Sequence, residues 1–330
     1  MSKKKDAYLA ISAMLRAREP RMLNREKAER MLDALSFADC AKQLTDCGYE
    51  DMSEMAASEI ERALSRRRAD IFRDIAFLAP DRKLVDVFRI KYDYHNAKVI
   101  LKAEAQGLDE SGLLSESGRV EPEALKAAYQ EERSSHLPGR LGGAMEQAKT
   151  ILARTGNPQL SDFCLDKAYF EELRDIAAEE DSAFLSGYVA ILADSTNLRS
   201  AVRTLRMGKD SGYLREALVP GGSVSEERLA NAASGDGLSA VFSGSPLAKA
   251  AALGAEAVEG GSLTAFELAC DNAVNAYLSG AKLAAFGEEP VIAYLAAVEG
   301  EITAVRMILT GRLAGIAPHV IRERLRDLYA

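Results

Sequence analysis

A short pattern that recurs three times at long intervals limits this chain more than any other feature. It is clearest in residues 88–108, Phe-Arg-Ile-Lys-Tyr-Asp-Tyr-His-Asn-Ala-Lys-Val-Ile-Leu-Lys-Ala-Glu-Ala-Gln-Gly-Leu. Asp93 is followed by Asn96 at +3, Lys98 at +5 and Gly107 at +14. Asp194, Asn197, Arg199 and Gly208 repeat those offsets, and Glu301, Ala304, Arg306 and Gly315 repeat them with the amide replaced. The copies start 101 and 107 residues apart. Self-similarity at a long, nearly fixed period means one structural unit used several times.

The offsets belong to a helix. Positions three apart share a face, and a glycine eleven residues beyond Asn96 falls close to three full turns below it. Such a glycine either admits another helix or ends its own helix as a cap. Asp93 and Asn96 are therefore expected to form an internal polar anchor between helices, with Lys98 turned to water. An enzymatic reading would make Asp93 and His95 a dyad or a metal pair. Residues at i and i+2 face nearly opposite ways on a helix, and the second and third copies lack the histidine. The repeated residues read as packing features, with no catalytic, metal or cofactor site among them.

The rest of the chain supports a helical protein. At 330 residues it is long enough for two or three domains. Its net charge of −8 argues against a nucleic-acid partner. Hydrophobic residues make up 48%, much of it Ala and Leu, which favours helix over sheet. No run approaches eighteen consecutive apolar residues, so no membrane span is expected. The start, Met1-Ser-Lys-Lys-Lys-Asp, is basic with no apolar core behind it and does not read as a signal peptide. Cys40, Cys47, Cys164 and Cys270 have no zinc-type spacing and read as buried thiols of a reducing compartment.

All nine prolines fall where segments begin or end, as in an all-helical chain. Apolar spacing predicts two helices between Tyr8 and Leu35 broken near Pro20, then a short one over Ala38–Leu44 ending at Gly48. Three long hairpins follow. The first is Ser53–Leu78, capped by Ser53, with the helix from Asp81. The second is Ser161–Glu180 with Ser182–Met207, and the third is Ser262–Phe286 with Pro290–Leu313. A last short helix runs from Pro318 through Leu328. Glycine-bearing stretches at 139–143, 220–222 and 259–261 read as loops. The repeats divide the chain into 1–115, 116–215 and 216–330, with seams near Leu108–Gly118 and Gly208–Ser223.

Recognisable chemistry is absent. There is no Gly-x4-Gly-Lys-Ser/Thr phosphate loop, no His-Glu-x-x-His, no Cys-x-x-Cys and no Gly-x-Ser-x-Gly. His95, His136 and His319 are far apart and read as solvated or capping residues. Arg66-Arg67-Arg68 is the densest basic run, readable as a solvated helix face or as a contact for an acidic partner or lipid head groups.

Three blocks resemble the C subunit of archaeal and bacterial V-type (A-type) rotary ATPases, the relative of the d subunit of the eukaryotic V-ATPase. They are Tyr8…Leu15-Arg16-Ala17-Arg18-Glu19…Leu23, Leu44-Thr45-Asp46-Cys47-Gly48-Tyr49, and Lys91-Tyr92-Asp93-Tyr94-His95-Asn96-Ala97-Lys98…Leu101-Lys102-Ala103, which is similar to that family's Lys-x-Asp-x-x-Asn-x-Lys block. Cys47 stands where the family often has Thr, and Ala304 replaces the amide of the third copy. The resemblance implies a non-catalytic rotor part built of three similar helical domains in a pseudo-threefold, funnel-shaped arrangement. It implies central-shaft subunits and the membrane proteolipid ring as partners, a peripheral place on the cytoplasmic face, and a share in ion transport or ATP synthesis. A rival reading is a helical-repeat scaffold of the tetratricopeptide kind, but its period would be about 34 residues in many copies. An all-α enzyme would need titratable groups gathered at one cavity.

Overall fold

The computed structural model describes residues 3–110, 112–232 and 235–330, with side chains from Lys5 onward. Met1 and Ser2 of the basic start lie outside the described residues. The protein is all-α, and no strand occurs among the described residues. In chain order the helices are α1 (Lys3–Asp6), α2 (Leu9–Arg18), α3 (Arg25–Asp33), α4 (Phe37–Lys42), α5 (Ala57–Leu78) and α6 (Lys83–Gln106). Then come α7 (Pro122–Gln130), α8 (Leu141–Thr155), α9 (Pro158–Glu180), α10 (Ala183–Arg206), α11 (Ser211–Ala217) and α12 (Glu226–Ala230). The chain ends with α13 (Gly235–Val241), α14 (Ala248–Val258), α15 (Leu263–Ser279), α16 (Glu288–Leu313) and α17 (Pro318–Arg322). Among the described residues no helix is long and apolar enough to cross a membrane.

Two compact units result, and they do not follow chain order. Unit 1 joins Met1–Phe88 to Asn275–Ala330, and unit 2 is Arg89–Val274. Unit 2 holds two hydrophobic cores of the same construction. In one, Tyr94, Ala97, Ile100 and Leu101 of α6 pack with Leu125 of α7, Met145 of α8 and Leu165 of α9. In the other, Leu198, Ala201 and Val202 of α10 pack with Leu229 of α12, Phe242, Ala251 of α14 and Phe266 of α15. Each core therefore runs from one repeated helix to the opening helix of the next long hairpin. In unit 1, α16 lies against α2, α3, α4, α5 and α17.

Local chemistry sets the helix ends, and in places it moves them from where apolar spacing puts them. The first long helix begins at Ala57 rather than Ser53. Asp51 accepts the Ser53 N–H at 2.9 Å, holding that residue in a turn, while Glu59 reaches back to the Ala56 N–H at 2.8 Å and fixes the start. The second hairpin opens at Pro158 rather than Ser161, because Asn157 caps it by accepting from the Gln159 N–H at 3.0 Å. Pro290 lies inside the first turn of α16, where no intrahelical N–H bond is lost. α15 ends at Ser279 and continues only as a 3-10 turn to Leu283, and α17 stops at Arg322 rather than Leu328.

Gly142 and Gly143 lie inside α8, not in a loop. A Cβ on Gly142 would meet the Ser134 carbonyl oxygen at 1.9 Å, so the glycine lets the preceding turn lie directly on the helix.

Candidate functional site

The repeated acids are the polar centres of the structure. Asp93, Asp194 and Glu301 are 0%, 4% and 4% exposed. An ionised carboxylate in such a place must have both oxygens occupied, and all three do. Asp93 Oδ1 accepts from the backbone N–H groups of Arg119 (2.8 Å) and Val120 (3.1 Å), and its Oδ2 accepts from Arg119 Nε (2.7 Å). Asp194 Oδ1 accepts from the Val224 N–H (3.1 Å), and its Oδ2 from the Ser223 hydroxyl (2.5 Å). Glu301 Oε2 accepts from the Leu23 N–H (2.6 Å), and its Oε1 from the Tyr49 hydroxyl (2.7 Å).

The anchor thus holds the chain that follows the helix, not a second helix as the spacing suggests. Val120, Val224 and Leu23 are equivalent. Each is followed by the residue that caps a short helix, Glu121, Ser225 or Asn24, and each cap's carbonyl accepts from the N–H four residues on, at Leu125, Leu229 and Ala28. In the third copy this trailing segment comes from the other end of the sequence, 278 residues away.

Acid length and loop sequence go together. A Cβ on Gly118 would meet Asp93 Oδ1 at 2.3 Å, and one on Gly222 would meet Asp194 Oδ1 at 2.3 Å. A short Asp can be reached only if the backbone comes this close. Glu301 reaches one methylene further, and the corresponding position, Arg21, carries a full side chain. Gly118→Ala and Gly222→Ala are expected to lower stability by about 1–3 kcal/mol each, through forced displacement of a buried acid. Gly143, exposed in α8 with nothing within 4 Å of where a Cβ would stand, is the control. Gly143→Ala should be neutral or stabilising by up to about 1 kcal/mol, since it removes only a helix-interior glycine. Urea midpoints for the three variants make the comparison; equal midpoints would refute the close-approach role.

The amide at +3 reads backbone on both sides. Asn96 accepts the Ser115 N–H at 2.8 Å and donates to the Ser115 carbonyl at 2.9 Å. Asn197 does the same with Val219, at 2.8 Å both ways. Ala304 leaves the third copy without this pair.

The basic residue at +5 is not turned to water. Lys98 Nζ lies 2.6 Å from Asp166 of α9. Arg199 lies 2.5 Å from Glu267 and 2.5 Å from Asp271 of α15. Arg306 Nε lies 2.8 Å from Glu61 of α5. Each base pairs with the opening helix of the next long hairpin, and the third pairs with the first, so the pairing is cyclic through the sequence. Glu61, Asp166 and Glu267 stand 105 and 101 residues apart. Those intervals lie close to the 101 and 107 of the repeat itself, but nothing in the sequence marks these acids out from the chain's other acidic residues.

The glycines at +14 cap their helices instead of admitting a neighbour. Gly107, Gly208 and Gly315 have φ of +65°, +64° and +69°. The next residue's N–H returns to the carbonyl five before it, as Leu108 to Ala103 (3.0 Å), Lys209 to Thr204 (3.1 Å) and Ile316 to Gly311 (2.9 Å). All three are Schellman caps, which need the left-handed conformation that glycine adopts without penalty.

The first copy carries a larger network that the sequence does not announce. Arg119 bridges Asp93 and Glu172, its Nη1 2.6 Å from Glu172 Oε1, and Tyr94 donates to Glu172 Oε2 at 2.8 Å. Burial pushes the Asp93 carboxyl up, against the charge and hydrogen bonds of Arg119 and the two backbone donors. Burial likewise raises Glu301, against Tyr49, the Leu23 N–H, Arg67 and Lys27. At Glu267 burial also works upward, but the hydrogen bonds and charges of Arg199 and Arg203 outweigh it and hold the carboxyl below its ordinary 4.5.

The basic run 66–68 is divided. Arg66 is exposed and pairs with Glu50 at 3.1 Å. Arg67 lies 3.8 Å over the Tyr49 ring and donates to the carbonyls of Cys47 (2.9 Å) and Gly48. Arg68 is buried, with Nη1 3.8 Å from Glu299. Among the described residues no group of His, Cys, Asp and Glu could hold a metal ion. His95 Nε2 lies 3.0 Å from the Leu113 carbonyl.

This is the chemistry of a fastened scaffold, with acids closed by backbone donors and helices paired by charge. The sequence profile of the ATP synthase (C/AC39) subunit family matches residues 11–324. The chain belongs to that family. The C/AC39 profile spans all three copies of the repeat and the trailing segment at Leu23. Among similar proteins, the C subunit of the V-type sodium ATPase of Enterococcus hirae is 23% identical over 98% of this chain and 99% of its own. The C subunit of the A-type ATP synthase of Methanocaldococcus jannaschii is 26% identical over 97% of this chain and 86% of its own. The C subunit of the V-type ATP synthase of Thermus thermophilus is 26% identical over 70% of this chain and 73% of its own.

Proposed function

We propose that this chain is a non-catalytic central-stalk subunit of a V/A-type rotary ATPase, a socket that joins the rotating shaft to the membrane proteolipid ring. The family match over residues 11–324 carries the reading. The relatives are named as C subunits of a sodium ATPase and of ATP synthases. The cyclic fastening of the three repeats suits the part. A torque coupler needs stiffness, and here acids, amides and bases hold helices and their trailing segments together. Three similar helical domains, one per repeat, would give it an approximately threefold socket. The subunit would lie peripherally on the cytoplasmic face, serving ion transport or ATP synthesis without binding nucleotide itself. Of Arg66, Arg67 and Arg68, the proposed partner contact is Arg66, which is exposed and pairs only with Glu50 at the surface among the described ion pairs.

Affinity purification through a tag on this chain tests the reading. From gently solubilised membranes of the host, the chain should carry with it the shaft and head proteins and the proteolipid, and raising the salt should weaken the association as it does for charge-steered interfaces. A chain recovered alone at low salt, from cells whose rotary complex assembles without it, would overturn the assignment.

A further inference from the structure

We propose that a small cavity beside α5 binds the carboxylate of an acidic side chain on a partner protein, together with an apolar neighbour of that acid. The cavity has a volume of about 230 Å³, lies wholly in unit 1 and opens to the surface between the turn at Gly48 and the middle of α5. Tyr49, Met52, Ala63 and Ile71 give it an apolar lining. A space of about 150 Å³ already holds benzene, so one apolar side chain fits with room for a charged group.

The charges around that lining do not cancel. Arg66 pairs with Glu50 (3.1 Å) and Asp70 with Arg73 (2.9 Å), all four at the surface. Arg67 is left over. It donates to the carbonyls of Cys47 and Gly48 and lies over the Tyr49 ring, but among the described residues no carboxylate pairs with it, and its buried Nε–H has no hydrogen-bond partner in the protein. Glu301, whose ionised form Arg67 favours, already has its two oxygens occupied by Leu23 and Tyr49. Three arginines thus stand with two acids at the cavity, and a cation short of an acceptor draws an anion. Nor does the repeated scaffold call for a cation there. The intervals that relate Glu61 to Asp166 and Glu267 place Glu171-Glu172 and Asn272-Ala273 where Arg66-Arg67 stand. The arginine pair belongs to one copy alone.

Which protein brings the acid follows from the central-stalk reading, which affinity purification tests. Capped dipeptides added to the full chain test the cavity by itself. A capped Leu-Glu dipeptide should shift the methyl resonances of Met52, Ala63 and Ile71 and leave those of Leu165 and Leu229 in unit 2 in place. It should bind about five- to tenfold more tightly than capped Leu-Gln, which has the same shape without the charge. That advantage should fade as salt rises. Two surface variants should move the affinity in opposite directions. Arg66→Gln should weaken capped Leu-Glu by about two- to fivefold, and Glu50→Gln, which removes the competing acid, should tighten it by a similar factor. Arg67→Gln should abolish the preference for the acid, and if that variant folds poorly the surface pair still decides. Equal affinities for the two dipeptides, or a Glu50→Gln variant that binds capped Leu-Glu no better than the wild type, would overturn the proposal.

Discussion

Membrane vesicles carrying the rotary complex without this chain are expected to hydrolyse ATP at the head and to take up no ions above leak. Turnover in a catalytic head requires nothing below the shaft, but torque passes only through an unbroken series of contacts. On the proposed reading, removing this chain therefore separates two activities that the intact complex couples. Adding back the purified chain should restore uptake without raising turnover. ATP turnover and ion uptake, measured separately on the same vesicles, decide the matter. Uptake that persists undiminished without the chain would mean that the rotor reading is wrong.

The largest single-residue effect on folding is expected at Arg119. Its guanidinium bridges Asp93 and Glu172, carboxylates buried to 0% and 5% side-chain exposure. Arg119→Leu leaves the backbone donors on Asp93, and Tyr94 on Glu172, but strands two negative charges in an apolar setting. Breaking such a buried pair from one side costs about 3–5 kcal/mol. The loss should shrink as the pH falls. Without the arginine the Asp93 carboxyl, already raised by burial, is pushed further up, so it takes on a proton in the folded state before it would in the unfolded chain, and protonation then favours folding. Arg119→Lys, which keeps the charge but not the planar fork, should fall between the two. Urea unfolding at neutral pH and near pH 5 provides the comparison. A loss below about 1 kcal/mol at neutral pH would show that the network is held by its backbone bonds alone.

Much of this scaffold is legible in the residues themselves. Helices follow from Ala and Leu spacing and from proline position. The offsets of acid, amide, base and glycine are readable because the first three sit on one helix, whose period is fixed, and the glycine caps its end. What they hold is not readable, because partners off the helix obey no helical period. Gly118 lies 25 residues after Asp93 and Gly222 lies 28 after Asp194, so a search at fixed offsets misses both. Lys98 reads as a solvent residue until α9 places Asp166 beside it. Arg119 and Glu172 belong to the first copy only, so repetition cannot reveal them. The third acid misleads most, since its partners Leu23 and Tyr49 precede it by hundreds of residues, and only the folded chain shows that the repeat closes backwards.

That backward closure bears on biosynthesis. The Leu23 N–H leaves the ribosome 278 residues before the Glu301 carboxylate that it will meet. At ordinary elongation rates the wait is about 15–60 s. All of Arg89–Val274 is made in the interval, with both of its cores and their partners complete. Meanwhile Met22, Leu23, Met31 and Leu32, fully or nearly buried in the finished protein, have no α16 to cover them. A stretch translated early is thus among the last to be folded. A nascent chain that stalls anywhere before residue 288 presents that apolar stretch uncovered, an invitation to chaperones or proteases that a finished molecule withdraws.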